Sequence, residues 1–166
     1  MEKLPSSFQP PWYLEPYEGE SISHYFGRYC RREAVKSPAQ LSQAAGLGPI
    51  LARWEKFRFY PFPNAEELEQ IGALIGLTRM QLEALLPKER MTLKPIRLCA
   101  ACYLEAPYHR MEWQYQVRLS CSKHRLRLLT QCPNCRQPFP IPSLWQQRTC
   151  QRCGMGVKAM KKRQRH

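Results

Sequence analysis

Closely spaced pairs of metal-binding side chains constrain this 166-residue sequence more than any other feature. Three pairs are cysteines separated by two residues, and a fourth has the same spacing with histidine in the second position. In chain order the pairs are Cys99 and Cys102, Cys121 and His124, Cys132 and Cys135, and Cys150 and Cys153. This spacing lets both side chains of a tight turn face one metal ion, and two such turns complete a tetrahedral zinc site. The sequence therefore predicts two tandem zinc ribbons.

The lengths of the connections indicate which pairs share an ion. Only seven residues separate the second pair from the third, whereas 18 and 14 residues lie inside the two predicted ribbons. The short connection favours sequential sites, the first with three cysteines and a histidine and the second with four cysteines. A cross-braced arrangement, in which alternate pairs share an ion, is the alternative. Four strong ligands leave no position open to water, so we predict two structural zinc ions rather than catalytic ones.

A set of disulfide bonds is the competing interpretation of regularly spaced cysteines. The sequence has no run of 18 uncharged apolar residues, and its N-terminus lacks the apolar core of a secretory signal. We therefore expect an intracellular protein that makes no contact with a membrane. Thiols in a reducing compartment are more often metal ligands than disulfide partners, and disulfides would leave His124 without a role. Zinc is the better interpretation.

Positive charge is concentrated in the half that carries the metal ligands. Residues 1–95 contain 12 lysines and arginines and 11 glutamates, whereas residues 96–166 contain 14 lysines and arginines and only two glutamates. Such a region suits a polyanion such as nucleic acid, the alternative being a generally solubilising surface. The residues predicted to contact phosphates are Arg118, Lys123, Arg125 and Arg127 in the first ribbon and Arg136, Arg148 and Arg152 in the second.

The composition argues against catalysis. The chain contains no aspartate, the residue that magnesium-dependent nucleases and transposases usually place around their metal ions. A zinc hydrolase, a further candidate class, needs an open coordination position and a pattern such as HExxH, which the sequence lacks. We therefore expect a protein that is not an enzyme.

Residues 21–95 predict a helical domain. From Ser21 to about Ala34 apolar residues recur with helical spacing, and Cys30 lies on this stripe whereas His24 lies off it. We therefore expect Cys30 to be buried and His24 to be exposed. Cap residues and apolar periodicity predict four further helices, which begin near Pro38, Pro49, Asn64 and Thr78. The helix that begins near Pro49 is predicted to continue to about Phe59.

The last two predicted helices form a helix-turn-helix layout over residues 64–87, with Gly76 in the turn. The second of them exposes Arg79, Gln81 and Glu83, only one of which is positive. A recognition helix normally lies in basic surroundings. We therefore favour a structural or protein-binding helix pair over a DNA-reading one.

Residues 1–20 are rich in proline and aromatic residues, which predicts an extended arm. The arm either packs along the helical domain or docks into a pocket of a partner, because aromatic anchors serve both purposes. The candidates for protein contact are Phe8, Trp12, Tyr13 and Tyr17.

The remaining boundaries follow from the zinc ligands. Alternating apolar and polar residues predict one strand from Trp113 to Leu119 and a second from Arg125 to Leu128. His109 lies outside every ligand pair and is a weak alternative ligand. The predicted divisions are an arm (1–20), a helical domain (21–95), a first ribbon (96–130), a second ribbon (131–157) and a basic tail (158–166).

Several motifs, taken in this order, resemble the TniQ family (TniQ/TnsD) of transposition proteins. The resemblance extends from about Trp12 to Cys153. Outside the ligand pairs it rests on Glu20-Ser21-Ile22, Leu98, Trp113, Leu128-Leu129 and Pro133. In length the chain resembles the short TniQ of CRISPR-associated transposons that work with a single-protein RNA-guided effector.

The resemblance implies a non-enzymatic target-selection adaptor in the bacterial cytoplasm, acting at the nucleoid. The implied partners are an AAA+ ATPase regulator (TnsC), an RNA-guided CRISPR effector complex with its guide RNA, and target DNA. Longer TnsD-like members read a DNA attachment site through additional domains, whereas contacts to a nucleic-acid backbone fit the basic ribbons of this chain. The alternative function is a sequence-specific DNA-binding regulator that uses the helix pair of residues 64–87.

Overall fold

The computed structural model describes residues 12–166, so Phe8 of the predicted arm lies outside the described residues. The α-helices are α1 (Ile22–Arg32), α2 (Pro38–Ala44), α3 (Ile50–Trp54), α4 (Ala65–Ile75), α5 (Arg79–Ala84), α6 (Ala100–Glu105) and α7 (Val157–Arg163). Two 3₁₀ helices span Met111–Gln114 and Pro142–Leu144. Within residues 12–166, β-type pairing is limited to isolated bridges. The predicted fold class, a helical domain followed by two small zinc-binding modules, is confirmed.

The helical half, α1 to α5, has one apolar core. Tyr25, Trp54, Ile71 and Leu82 are completely buried in it. Cys30 on α1 is also buried, as the apolar stripe predicts.

Side-chain caps fix the start of the two helices of the predicted helix-turn-helix. The side chains of Asn64 and Thr78 each accept a hydrogen bond from the backbone N–H three residues later. In return, the side-chain oxygens of Glu67 and Gln81 accept hydrogen bonds from the backbone N–H groups of Asn64 and Thr78. Gly76 between the helices has a φ of 79°, a left-handed conformation that ends α4. The predicted helix pair is therefore present, although α5 has only six residues.

Two predictions about the helical half are wrong. His24 is buried rather than exposed, because its Nδ1 lies 2.5 Å from Oε1 of the buried Glu20. The third helix ends at Trp54 instead of continuing to Phe59, because Phe57 adopts a left-handed φ of 59°. Phe57 is nevertheless buried.

The predicted strand from Trp113 to Leu119 is also wrong. The segment begins as a 3₁₀ helix, and Val117 and Leu119 are 81% and 64% exposed. Gln114, which the alternating pattern places on the outer face, is completely buried. Its side-chain amide bonds the backbone of Thr92, Pro95 and Arg97, so it fixes the connection between the two halves.

The predicted second strand is likewise reduced to isolated bridges. Arg127 pairs with Ser120, and Leu129 pairs with Leu98. Arg125 has a left-handed φ of 56°, which no strand accommodates.

The second module docks directly onto α1. The backbone N–H of Ser143 donates to Ser23 Oγ at 3.1 Å, and its Oγ donates to Glu55 at 2.6 Å. Arg31 donates to the Ser143 carbonyl oxygen at 2.7 Å. A Cβ atom at Gly27 would lie 2.2 Å from that carbonyl oxygen, so only glycine allows this approach.

Most of the predicted basic tail is helix α7, which packs against α6 of the first module. Met160 is buried between them. The side chain of Gln164 accepts a hydrogen bond from Ala100 N at 3.0 Å and donates one to the Arg127 carbonyl oxygen at 2.8 Å. The predicted division of the chain into arm, helical domain, two ribbons and tail stays a prediction.

No helix within residues 12–166 is both long enough and apolar enough to cross a lipid bilayer.

Candidate metal centres

The first ligand cluster consists of Cys99, Cys102, Cys121 and His124, whose ligand atoms all lie within 4.8 Å of one another. Sγ of Cys102 lies 3.4 Å from Sγ of Cys121 and 3.2 Å from Nδ1 of His124. Cys99 is the N-cap of α6 and Cys102 lies in its first turn, so the start of this helix presents two ligands to one point. The three thiols are buried.

A carboxylate outside the cluster orients the histidine ligand. Nδ1 of His124 faces the three sulfurs, whereas its Nε2 lies 2.8 Å from Oε1 of Glu105 at the end of α6. Lys123 binds the other carboxylate oxygen of Glu105. Hydrogen bonds from Lys123 and His124 hold the pKa of Glu105 below its usual value, so the carboxylate is ionised and can accept the Nε2 proton. Metal-binding histidines commonly have such a partner, which fixes the ring and its tautomer.

The second cluster consists of Cys132, Cys135, Cys150 and Cys153, again with all four ligand atoms within 4.8 Å. Sγ of Cys132 lies 3.6 Å from Sγ of Cys153, and Sγ of Cys135 lies 3.6 Å from Sγ of Cys150. The first pair of this cluster therefore faces the second pair directly. The structure brings the ligand pairs together sequentially, and the cross-braced alternative does not occur.

Both donor sets fit zinc. Zn–S bonds of about 2.3 Å in a tetrahedron place neighbouring sulfurs about 3.8 Å apart, close to the separations in both clusters. A disulfide requires an S–S bond of about 2.05 Å, and every cysteine in the described part of the chain is free. The predicted cofactors, two structural zinc ions, are confirmed in that each cluster can hold one ion. Each ion would be bound by four side chains, which leaves no coordination position open to water or substrate.

Three of the four ligand pairs share one backbone geometry. The amide of the first ligand donates to the carbonyl oxygen five residues later at 2.8 to 2.9 Å, and the amide four residues later donates back to the first ligand's carbonyl. The residue after the second ligand has a left-handed φ in all three pairs, namely 56° at Arg125, 60° at Arg136 and 71° at Gly154. We call these three turns the knuckles. The pair of Cys99 and Cys102 instead uses the start of α6.

The segment around the buried Glu20 connects the metal-bearing half to the helical half. Glu20 is completely buried and accepts hydrogen bonds from Nε and Nη2 of Arg28 at 2.8 and 2.7 Å. Burial by itself raises the pKa of Glu20, but hydrogen bonds from His24 and Arg28 outweigh it, and the pKa lies below its usual value. The backbone of Glu20 also forms a bridge with Arg110 of the first module. The sequence motif Glu20-Ser21-Ile22 is therefore a structural junction.

His109 belongs to the same junction and is not a metal ligand. It is completely buried, its Nδ1 lies 2.9 Å from Ser21 Oγ, and its ring packs edge to face against Trp113 and Trp145. Burial lowers the pKa of His109 to about 3, so the ring is neutral at physiological pH. Trp113 is completely buried as well.

The predicted phosphate-binding side chains differ in availability. Lys123 is paired with Glu105, and Arg118 is half-buried with Nη2 3.9 Å from Glu112. The other five side chains are exposed and form no ion pair within residues 12–166. These five are Arg125, Arg127, Arg136, Arg148 and Arg152. Their role in binding nucleic acid stays a prediction.

The predicted arm residues are divided between packing and exposure. Tyr17 stacks on Tyr108 with ring centres 4.8 Å apart and lies 4.1 Å below the guanidinium of Arg28. Tyr13 packs against the helical core, and its hydroxyl accepts a hydrogen bond from Gln81 at 3.2 Å. Trp12 is 45% exposed. Packing along the helical domain therefore accounts for much of the described arm. Tyr17 is as exposed as Trp12, at 46%, but of these two rings only Tyr17 is stacked on another ring within residues 12–166.

Sequence reasoning missed an exposed aromatic loop, which we define as residues 57–63. Tyr60 is 96% exposed and Phe62 is 54% exposed. Leu93, which is 48% exposed, lines the same surface depression. The run Tyr-Pro-Phe-Pro could have signalled this surface, because prolines remove the helix that would otherwise turn these rings inward.

A cysteine substitution tests the sequential pairing. We expect the purified chain to contain two zinc ions by elemental analysis and Cys132→Ser to lose only the ion of the second cluster, because the first cluster is complete without it. Cys30→Ser is the matched control, since Cys30 lies on α1 away from both clusters, and it should retain both ions. A content of one ion or none in the unaltered chain would contradict the assignment.

The TniQ family model matches residues 11–128, which is well over half of the chain. Among curated proteins, none matches the sequence. The matched segment covers the junction motif, the helical half and the complete first metal cluster. Members of the family are accessory proteins of transposition and are generally non-catalytic. This chain therefore belongs to the TniQ family of transposition-associated proteins.

Proposed function

We propose that this chain is a non-enzymatic target-selection adaptor in RNA-guided DNA transposition. In this role it joins an AAA+ ATPase regulator (TnsC) to an RNA-guided CRISPR effector complex with its guide RNA on target DNA. Membership of the TniQ family supports the link to transposition. The identity of the partners rests on the resemblance to short TniQ proteins of CRISPR-associated transposons.

The uneven charge distribution carries the proposal that the two halves have different partners. The helical half is nearly neutral, whereas the metal-bearing half has a large excess of lysine and arginine. Seven of its arginines, including five of those predicted to contact phosphates, are exposed and form no ion pair within the described residues. Such a surface favours contact with phosphates, and the neutral half is better suited to contact with protein.

Two of these arginines occupy backbone positions that glycine adopts more easily. Arg125 and Arg136 follow the second ligand of their knuckles with positive φ, where the third knuckle has Gly154. A left-handed conformation costs a side-chain-bearing residue about 1 kcal/mol. A positive side chain at a strained turn beside a zinc site supports a functional role, because the turn itself does not require arginine.

The helix pair of residues 64–87 gives less support to a DNA-reading regulator. Arg79, the positive residue of α5, lies 3.4 Å from Glu69 and 3.3 Å from Glu83. A six-residue helix whose cation is already paired offers little to a phosphate backbone. The exposed Met80 suits a protein contact better.

Reconstitution tests the adaptor proposal directly. The chain, the ATPase, the effector with guide RNA, the transposase and target DNA are combined, and insertions at the guided site are counted by sequencing. We expect insertion at that site to depend on this chain. The same insertion frequency without the chain would contradict the proposal, as would reproducible metal-dependent cleavage of DNA by the chain alone.

Substitution of a knuckle arginine tests the phosphate contacts. A plot of the logarithm of the association constant for duplex DNA against the logarithm of the salt concentration has a negative slope. Arg136→Gly should make this slope less steep by about 0.9, because one phosphate contact is lost. The effect should be similar on unrelated sequences, since phosphates carry no sequence information. Thermal stability should not fall, because glycine relieves the left-handed backbone strain.

Two variants serve as controls for this measurement. Arg136→Ala should change the salt slope equally but should not relieve the backbone strain, and Arg79→Ala in the helical half should leave the slope unchanged. An unchanged slope in the double variant with Arg125→Gly and Arg136→Gly would contradict the phosphate role of the knuckles.

Substitution of the exposed arm tryptophan tests the protein contact. Trp12→Ala should weaken binding to the ATPase by about 30-fold if the ring is a central anchor of that interface. Zinc content and thermal unfolding should change little, because the ring is nearly half exposed. Binding is measured by biolayer interferometry against the immobilised ATPase.

The aromatic loop provides the comparison. Tyr60→Ala removes a ring of similar size that is almost fully exposed, so it should also preserve the fold. Loss of ATPase binding in Tyr60→Ala but not in Trp12→Ala would place the protein contact on residues 57–63 and contradict the role of the arm. Unfolding of Trp12→Ala would show instead that the arm is part of the core.

A further inference from the structure

A cavity of about 480 Å³ lies between the second module and helices α6 and α7. Tyr103 of α6 and Met160 of α7 form one side, and Phe139 and Trp145 of the second module form the other. The rings of Phe139 and Trp145 are only partly buried, so aromatic surface remains accessible within the cavity. The volume is in the range of small-molecule sites, which is about 300 to 1,000 Å³.

Amide groups surround this aromatic surface. Gln137, Gln146, Gln147 and Gln151 all line the cavity and are exposed. Within residues 12–166, the side chains of three of them, Gln137, Gln146 and Gln151, make no hydrogen bond. An amide carries both donors and an acceptor, as do the edges of nucleobases.

Apart from the zinc ligand Cys150, the one charged side chain that lines the cavity within residues 12–166 is positive. Arg152 lines the cavity, and no glutamate is among the lining residues of the described chain. Arg148 lies one residue before the lining Thr149 and is exposed without an ion pair in that part of the chain. A ligand that carries phosphate is therefore favoured at the mouth of the cavity.

We propose that this cavity binds one unpaired nucleotide of single-stranded nucleic acid. The base would stack on the rings of Phe139 and Trp145, the glutamine amides would meet its polar edge, and Arg152 would contact its phosphate. Aromatic stacking combined with basic side chains is the general mode of single-strand recognition. The inference rests on the nucleic-acid contact of the proposed function and adds to it a contact with a base.

An apolar side chain of a protein partner is the competing occupant. It would fill the aromatic part of the cavity but would bury the glutamine amides without partners, which is unfavourable. A nucleotide can stack on the rings, form hydrogen bonds with the amides and place its phosphate beside the positive charge. The nucleotide is therefore the better match to this lining.

Abasic strands separate base binding from phosphate binding. Fluorescein-labelled oligothymidylate of twelve residues is compared by anisotropy with an abasic strand of equal length and charge, using the full zinc-loaded chain. We expect the abasic strand to bind at least about fivefold more weakly, since one stacked base contributes that much or more. A matching RNA strand shows whether the cavity prefers RNA or DNA. Equal affinity for the thymidylate and abasic strands would overturn the proposal.

Variants of the lining connect the effect to this cavity. Phe139→Ala and Gln151→Ala should each reduce the difference between the two strands, while Leu144→Ala, an exposed apolar neighbour outside the lining, should preserve it. Gln151 is exposed, so its variant remains informative if Phe139→Ala fails to fold. An undiminished difference in Gln151→Ala and in a folded Phe139→Ala would overturn the proposal.

The same experiment distinguishes the inference from the function on which it rests. Tight but equal binding of both strands would leave the phosphate contacts in place and remove only the base contact. No binding of either strand would overturn both. Lining variants that weaken binding of the ATPase or effector protein, with wild-type discrimination between the strands, would identify the occupant as a protein side chain.

Discussion

Closure of two four-ligand metal sites is the constraint on which the metal-bearing half of this protein depends. That half contains short helices and isolated bridges within the described residues, and many of its buried residues are the ligands themselves. Units of this size bury too little apolar surface to fold without further stabilisation, which zinc can supply. The first cluster holds the start of α6, against which α7 packs, and Cys150 of the second cluster lines the cavity between these helices and the second module. Loss of either ion would therefore also disturb the helices or the cavity that its cluster supports.

The junction around Glu20 attaches the metal-bearing half to the helical half. Its carboxylate holds Arg28 and His24 of α1, and the neighbouring Ser21 holds the neutral His109 of the first module. Ser143 of the second module attaches to the same helix beside Gly27. Helix α1 thus contacts both modules, so the nearly neutral helical half and the basic metal-bearing half are kept in a fixed relation. The proposed adaptor between a protein and a nucleic acid would require such a relation.

The parts of the structure that were predictable from sequence are those with local causes. Ligand spacing predicted both clusters, and the capping boxes at Asn64 and Thr78 predicted two helix starts. The errors arose where distant partners decide the outcome. Gln114 is buried because its amide bonds the chain about 20 residues earlier, and the buried ring of His24 lies 6.4 Å from the ring of Tyr108 in the other half. For the same reason the role of Glu105 and the cavity could not be predicted, since each depends on segments that only the fold brings together.

The ligand sets are tested most directly by X-ray absorption spectroscopy at the zinc edge on the purified chain. Seven sulfurs and one nitrogen shared by two ions predict an average shell of about 3.5 sulfurs at about 2.3 Å and about 0.5 nitrogen at about 2.0 Å. Glu105→Gln should leave the sulfur shell unchanged and weaken the affinity for the first ion by about tenfold or more, because it removes the carboxylate partner of His124. A shell dominated by oxygen, or a sulfur number near two, would contradict the two closed sites on which this account rests.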